Sequence, residues 1–158
     1  VSDSFMQFYG DIQKSTGRYE TTIPKIADDY KNDAKYYADE IMNDTTLTTD
    51  LERVQMAATI VAYHSSHCIY DMDAENHYQS PYGVFVAGVY TCSGSTRALG
   101  RILDYMGIKW THINEGQYSH QWCELYMDGQ IGIADGMGGV AGYGSSDDVY
   151  AQNGIIIF

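Results

Sequence analysis

Residues 120–135 read HQWCELYMDGQIGIAD. Alternating apolar residues flank the Asp128-Gly129 pair, which is the strongest short signal for a two-residue hairpin because a type I′ turn needs positive φ at both positions. With this pair as the loop, Met127 lies opposite Gln130 and Trp122 lies opposite Asp135. The stretch therefore predicts two antiparallel strands, 120–127 and 130–135, in a fixed register.

This register sorts the hairpin side chains onto two faces. Cys123, Leu125 and Met127 share one face. His120, Trp122 and Asp135 share the other, where His120 and Asp135 are diagonal neighbours at roughly 7 Å, a gap that side chains close to a hydrogen bond. Without that pairing, His120 is better explained as an edge histidine and Asp135 as a turn residue. With it, we expect His120 to be a general base that Asp135 orients. Trp122 is expected to form a wall beside the imidazole, which makes it a further candidate for lining the substrate site.

A nucleophile is predicted at Cys92, just before a helix whose apolar residues recur every three or four positions up to Gly107. The helix dipole and a nearby imidazolium both favour a thiolate there, although a buried, inert thiol is the plainer alternative. Ser93 and the small residues after it leave room for a substrate. The backbone N–H of Cys92 is one expected oxyanion donor, and Tyr70 and Gln79 are candidates for the second.

The remaining pattern places helices before strands, which predicts the α+β class. A helix is expected over 22–43, and a second runs from a capping box at Thr49 and Glu52 to about His67. Further strands are expected at 109–114 and 154–158, and the glycine-rich run 136–144 is interpreted as a mobile rim. We expect one domain over 1–158, with a helical part at 1–67 and the nucleophile helix and sheet at 83–158.

Length and charge limit the classes of function. The chain has 158 residues, with 21 acidic and 9 basic side chains, and a net charge of -12. Such a surface repels nucleic acid and anionic membranes, and no apolar run approaches the ~20 residues that span a bilayer. The chain begins with Val1 and has no signal sequence, so we expect a processed form or a piece of a longer chain. Together with the acidic balance, this suits an extracellular or cell-surface bacterial protein.

Metal sites are not expected. His64, His67 and Cys68 resemble half a metal site, but the sequence offers no second half beyond the isolated His77. The acidic run 71–76 starts like a calcium loop yet lacks its glycine and its final glutamate. Cys68 and Cys123 either form a disulfide or are core thiols facing the third helix, and we favour the thiols.

The motifs together resemble the transglutaminase-like superfamily. They are the run 88–98 around Cys92, the Met106-Gly107-Ile108 turn, His120-Gln121-Trp122, Asp128-Gly129 and Ile133-Ala134-Asp135. The similarity spans 70–136 and implies a papain-like α+β core, with Cys92 as nucleophile, His120 as base and Asp135 as its orienter. One departure is Gly136-Met137-Gly138-Gly139, where many relatives carry a Pro or Thr segment and an aromatic residue.

The resemblance implies acyl transfer from an amide through a thioester, with no cofactor and with a protein or peptide as substrate. Hydrolysis, as in a peptidase or amidase, and cross-linking to an amine both remain open. The alternative is a non-catalytic module of an exported protein that keeps the fold and binds a protein or glycan. Its binding surface would be the Tyr-rich and Gly-rich rim.

Overall fold

Three long helices form one side of the protein in a computed structural model that describes residues 30–72 and 77–155. They are α1 (Tyr30–Asn43), α2 (Asp50–Ser66) and α3 (Cys92–Met106). The part of the predicted first helix before residue 30 lies outside the described residues. The predicted capping box starts α2, because Thr49 and Glu52 exchange side-chain and backbone hydrogen bonds. Gly107 ends α3 with φ of 78°.

A four-stranded antiparallel sheet follows the helices, and its strands lie side by side in chain order. Its strands are β3 (Trp110–Ile113), β4 (Trp122–Met127), β5 (Gln130–Asp135) and β6 (Val140–Tyr143). The predicted hairpin register is confirmed, because Met127 pairs with Gln130 and Leu125 with Gly132. The strand predicted at 120–127 begins only at Trp122, so His120 and Gln121 precede it in the loop that follows β3. Asp128 and Gly129 have φ of 55° and 77°, as a type I′ turn requires.

The interpretation of the glycine-rich run 136–144 as a mobile rim was wrong, because part of the run is a strand. Val140–Tyr143 forms edge strand β6, and helix α4 (Ser146–Gln152) follows it, with the Ser145 side chain accepting from the Asp148 N–H. The strand predicted at 154–158 is not present at Gly154 or Ile155, and 156–158 lie outside the described residues. The apolar residues of α4 cover the face of the sheet that carries Trp122 and Asp135.

The central helix α3 contacts α1, α2 and the inner face of the sheet. Its apolar residues are fully buried against that face, where Cys123, Leu125 and Met127 also lie, as predicted. This packing gives α3 a fixed orientation over the hairpin. The first residue of α3, Cys92, therefore stands at the end of the sheet where β5 finishes.

A short parallel pair, β1 (Ile69–Tyr70) and β2 (Val89–Tyr90), leads into α3. A π-helical turn, Gly83–Ala87, precedes β2 and ends at Gly88, which has φ of 79°. The loop before this turn approaches α3 at Gly94, where a Cβ atom would overlap the Tyr78 carbonyl oxygen. Only glycine permits this approach, which forms one wall beside Cys92.

The hairpin turn also caps a helix. Asp128 accepts from the backbone N–H groups of Asp50 and Leu51 at 2.9 and 3.1 Å, and its own N–H donates to the Asp50 carboxylate at 2.8 Å. The turn thereby satisfies open donors at the start of α2. Within the two described segments, the helices fall short of the combined length and apolarity needed to cross a membrane.

Candidate active site

The Cys92 thiol lies at the N-terminus of α3, half-buried and facing the hairpin. Burial acts to raise the pKa of this thiol. Its hydrogen bond with His120, the backbone N–H of Gln121, the charge of His120 and the backbone N–H of Ser93 outweigh burial and lower the pKa of Cys92. The site therefore favours the thiolate, as the sequence predicts for the start of a helix.

His120 links the thiol to the carboxylate. Its Nε2 atom lies 2.6 Å from Oδ2 of Asp135, and its ring also hydrogen-bonds to Cys92. Because Nε2 is engaged by Asp135, Nδ1 is the nitrogen that remains for the thiol. The Asn114 side chain donates to the His120 carbonyl at 2.9 Å and fixes the backbone of this residue.

The electrostatics of His120 favour its cation. Burial opposes the imidazolium, but hydrogen bonds to Asp135 and Cys92 and the charges of both raise the pKa of His120 to about 9. The lowered pKa of Cys92 and the raised pKa of His120 have one cause in common, since each ion stabilises the other, but Asp135 contributes more than Cys92 to the shift of His120. The arrangement therefore favours a thiolate at Cys92 beside an imidazolium at His120.

The buried Asp135 carboxylate is fully hydrogen-bonded. Oδ1 accepts from the backbone N–H groups of Met137 and Gly138 at 2.8 and 3.0 Å, and Oδ2 accepts from His120 and from the Tyr150 hydroxyl at 2.7 Å. Burial alone would raise the pKa of Asp135, but these donors, led by His120, lower it. A carboxylate held this way stays ionised and fixes the imidazole ring.

Tyr150 is the site residue that sequence reasoning missed. It lies on α4, and the signal for that helix was the Ser145-to-Asp148 spacing of an N-terminal cap. The ring of Tyr150 also packs edge-on against His120 and Trp122, with centroids 6.0 Å away in each case. A helix beyond the glycine-rich run therefore completes the support of Asp135.

Trp122 lies where the hairpin register predicts it. Its indole stacks on the His120 ring with centroids 5.9 Å apart and an interplanar angle of 28°. It packs with the apolar side chains between the outer face of the sheet and α4, and it does not line the pocket at Cys92. The structure therefore places Trp122 beside the imidazole and outside the pocket at Cys92, so the expectation that it lines this site was wrong.

A pocket of about 290 Å³ opens in front of Cys92. Three of the predicted lining candidates, Tyr70, Gln79 and Ser93, are on its wall, and the Tyr70 hydroxyl is within hydrogen-bonding reach of both the Cys92 backbone N–H and its thiol. No Asp, Glu, Lys or Arg lines it among the described residues. The remaining lining residues are Met72, Tyr78, Thr91, Gly116, Gln117, Tyr118 and Gln121.

The other two cysteines and His64, which belongs to the predicted half metal site, make structural contacts. All three cysteines are thiols. Cys123 is buried in the core and contacts the Thr96 carbonyl of α3, as favoured, whereas Cys68 lies beneath the π-helical turn, against the Val84 carbonyl. His64 is fully buried 2.7 Å from the Tyr37 hydroxyl, and burial lowers the pKa of His64 to about 3. Its ring belongs to the core.

Comparisons with known proteins add no relatives. No family model matches the chain, and neither a curated protein nor a solved structure gives a significant match.

Proposed function

We propose that this protein is a cysteine-dependent acyltransferase of transglutaminase-like type, with a papain-like core, acting on an amide as a peptidase, an amidase or a cross-linking enzyme. The observation that carries the proposal is the continuous hydrogen-bonded chain from Cys92 through His120 to Asp135. A merely structural thiol does not require a cationic imidazole and a buried carboxylate behind it.

The proposed reaction starts from the ion pair. The Cys92 thiolate attacks the amide carbonyl carbon, and the electron pair of the C=O bond moves to its oxygen. His120 donates its Nδ1 proton to the leaving nitrogen as the tetrahedral intermediate collapses, which releases an amine and leaves a thioester on Cys92. Water or a second amine then attacks the thioester carbonyl carbon, and His120 takes up the proton of the attacking group. The C–S bond breaks, which releases the acid or the new amide and restores the Cys92 thiolate beside the imidazolium. Asp135 holds the ring throughout and stays ionised.

Two groups are suited to hold the oxygen of the tetrahedral intermediate. One is the backbone N–H of Cys92 at the start of α3, and the other is the Tyr70 hydroxyl, which already lies beside it. A hydroxyl there donates to an oxyanion more strongly than to a neutral carbonyl. Under this proposal, Tyr70→Phe lowers kcat by about 10²- to 10³-fold and changes KM little, as loss of one donor would.

The test of the proposed function is the rate of iodoacetamide labelling against pH, with mass-spectrometric assignment to Cys92, Cys68 or Cys123. We expect selective labelling of Cys92 near pH 6, well below the ordinary thiol pKa of ~8.5, and loss of that selectivity in His120→Ala. Cys68 serves as an internal control, because it is a half-buried thiol away from the imidazole.

A wild-type Cys92 that labels no faster than Cys68 at pH 6 overturns the enzyme proposal and favours the binding module. If Cys92 is activated, a panel of amide and amine substrates separates hydrolysis from transfer. Cys92→Ala abolishes either product in that panel, and a product that survives this substitution contradicts the proposal.

A further inference from the structure

The loop between β3 and β4 carries His120 and Gln121, so its position decides the geometry at Cys92. His120 supplies the imidazole, and the backbone N–H of Gln121 points to the thiol. The loop runs over the pocket through Gly116, Gln117 and Tyr118, and Tyr118 is almost completely exposed. The geometry at Cys92 therefore depends on the contacts that hold the end of this loop against α3.

The Gln121 side chain is the anchor, because it is buried and bonds to two parts of the protein. It is 4% exposed. Its Nε2 donates to the Gln117 carbonyl at 3.0 Å, and its Oε1 lies 2.6 Å from Nε2 of His112 on β3. The Gln117 carbonyl can only accept, so it fixes the orientation of the amide and leaves Oε1 for the histidine.

The same reasoning fixes the role of His112. Oε1 of Gln121 accepts only, so Nε2 of His112 must carry a proton and donate it. On its other side, Nδ1 lies 3.4 Å from the Glu115 carboxylate, which also receives Arg97 at 3.1 Å. The His112 side chain is 8% exposed. The ring is therefore held between a carboxylate and the anchor of the loop.

Apart from Gln121 and Glu115, His112 has charged neighbours on α3 and closely packed side chains on the sheet. Arg101 and Asp104 of α3 line the same hollow, the Trp110 ring lies 5.9 Å away, and Cys123 is its direct neighbour on β4. Burial raises the pKa of the Cys123 thiol, which is neutral. Glu115 is thus the anionic partner that faces the imidazole at ion-pair distance.

We propose that His112 is a positioning residue for catalysis, which acts by donating to Gln121 and so holding the Gln121 N–H and the neighbouring His120 against Cys92. The inference rests on the proposed function, since it requires Cys92 to be the nucleophile. His112 itself touches neither the thiol nor the pocket. Its contribution is the geometry of the residues that do.

The test compares three variants by the pH profile of Cys92 labelling. His112→Leu removes the donor, and we expect the labelling midpoint to rise by about 0.5–1 pH unit, with labelling at pH 6 about 3- to 10-fold slower. His112→Gln restores an N–H donor near the Nε2 position, and we expect recovery towards wild type. Ser119→Ala, which loses a loop hydrogen bond to the Gln117 side chain, is the matched control and should label as wild type.

Gln121→Leu tests the same link from its other end, which matters if His112→Leu does not fold. We expect the same rise in the midpoint, and no further rise when both substitutions are combined, because both remove one interaction. A wild-type profile in a folded His112→Leu or Gln121→Leu overturns the inference, as does a His112→Gln profile as shifted as that of His112→Leu. A wild-type protein without an activated Cys92 instead overturns the proposed function first.

Discussion

At the scale of single residues, the two oxygens of Asp135 receive donors of different origin. Oδ1 is held by its own turn, through Met137 and Gly138, and Oδ2 is shared by His120 and Tyr150. The backbone donors set the position of the carboxylate. The Tyr150 hydroxyl therefore lowers the pKa of a carboxylate whose position the backbone already fixes.

The first prediction is that Tyr150→Phe reduces activity without dismantling the site. One donor to the buried carboxylate is lost, so we expect the acid limb of kcat/KM to move to higher pH and the unfolding free energy to fall by about 1–2 kcal/mol. Tyr143→Phe is the control, because it removes a tyrosine–aspartate bond of the same 2.7 Å length, to Asp128. An acid limb that moves equally in both variants contradicts a specific role for Tyr150.

The second prediction concerns Asp135→Asn. The amide cannot stabilise the imidazolium, so the pKa of His120 should fall from about 9 and the alkaline limb of activity should move to lower pH. The rate should drop by about 10²- to 10⁴-fold, since the ring loses its orienting charge. The measurement is kcat/KM from pH 5 to 10, and an unmoved alkaline limb would assign that limb to another group.

At the scale of elements, the third prediction is that Gly94→Ala destabilises the protein. Alanine inside a helix normally stabilises by about 1 kcal/mol over glycine. Here its Cβ would overlap the Tyr78 carbonyl oxygen, so α3 must move away from the loop, at a cost of about 1–3 kcal/mol. Urea unfolding and Cys92 labelling measure the two effects, and a variant at least as stable as wild type contradicts the close approach.

The elements that sequence predicted well are those whose signal is local and periodic. The two-residue turn at Asp128-Gly129 fixed the pairing of every residue on both strands, and this pairing brought His120 next to Asp135. The capping box predicted the start of α2, and Gly107 predicted the end of α3. In each case, a few adjacent residues determine the geometry.

The missed elements depend on contacts that no local pattern contains. Edge strand β6 has a glycine at 142, because the Val149 side chain of α4 packs directly on it. Glycine in a strand looks like a break unless the neighbouring side chain is known. Tyr150 was missed with the same helix, and the anchor formed by His112 and Gln121 needs a pairing between β3 and β4 that the sequence alone does not specify.

At the scale of the whole molecule, the ion pair of the site has a predicted signature in stability. A raised pKa of His120 stabilises the fold below its ordinary 6.5, and this contribution is lost as pH rises towards about 9. The lowered pKa of Cys92 has the opposite sign, because it stabilises the fold increasingly towards its ordinary 9.0. In the wild type, the two contributions offset each other over this range.

The fourth prediction follows from this offset. Cys92→Ala removes the thiolate contribution and keeps the part of the histidine contribution that comes from Asp135, so the unfolding free energy of the variant should fall more between pH 6.5 and 9 than that of the wild type. Urea unfolding at several pH values measures the difference, and Cys68→Ala is the control. Parallel curves for wild type and Cys92→Ala would mean that no thiolate–imidazolium pair exists in the folded protein.

The mutual capping of the hairpin turn and helix α2 joins residues 78 positions apart in the chain. The start of the helix and the turn therefore complete their hydrogen bonds only when both are in place. The contact between Asp50 and Asp128 couples these two parts of the molecule, because neither can open without loss of hydrogen bonds at the other. In hydrogen–deuterium exchange, the amides of Asp50, Leu51 and Asp128 should therefore exchange together, since one opening event exposes all three.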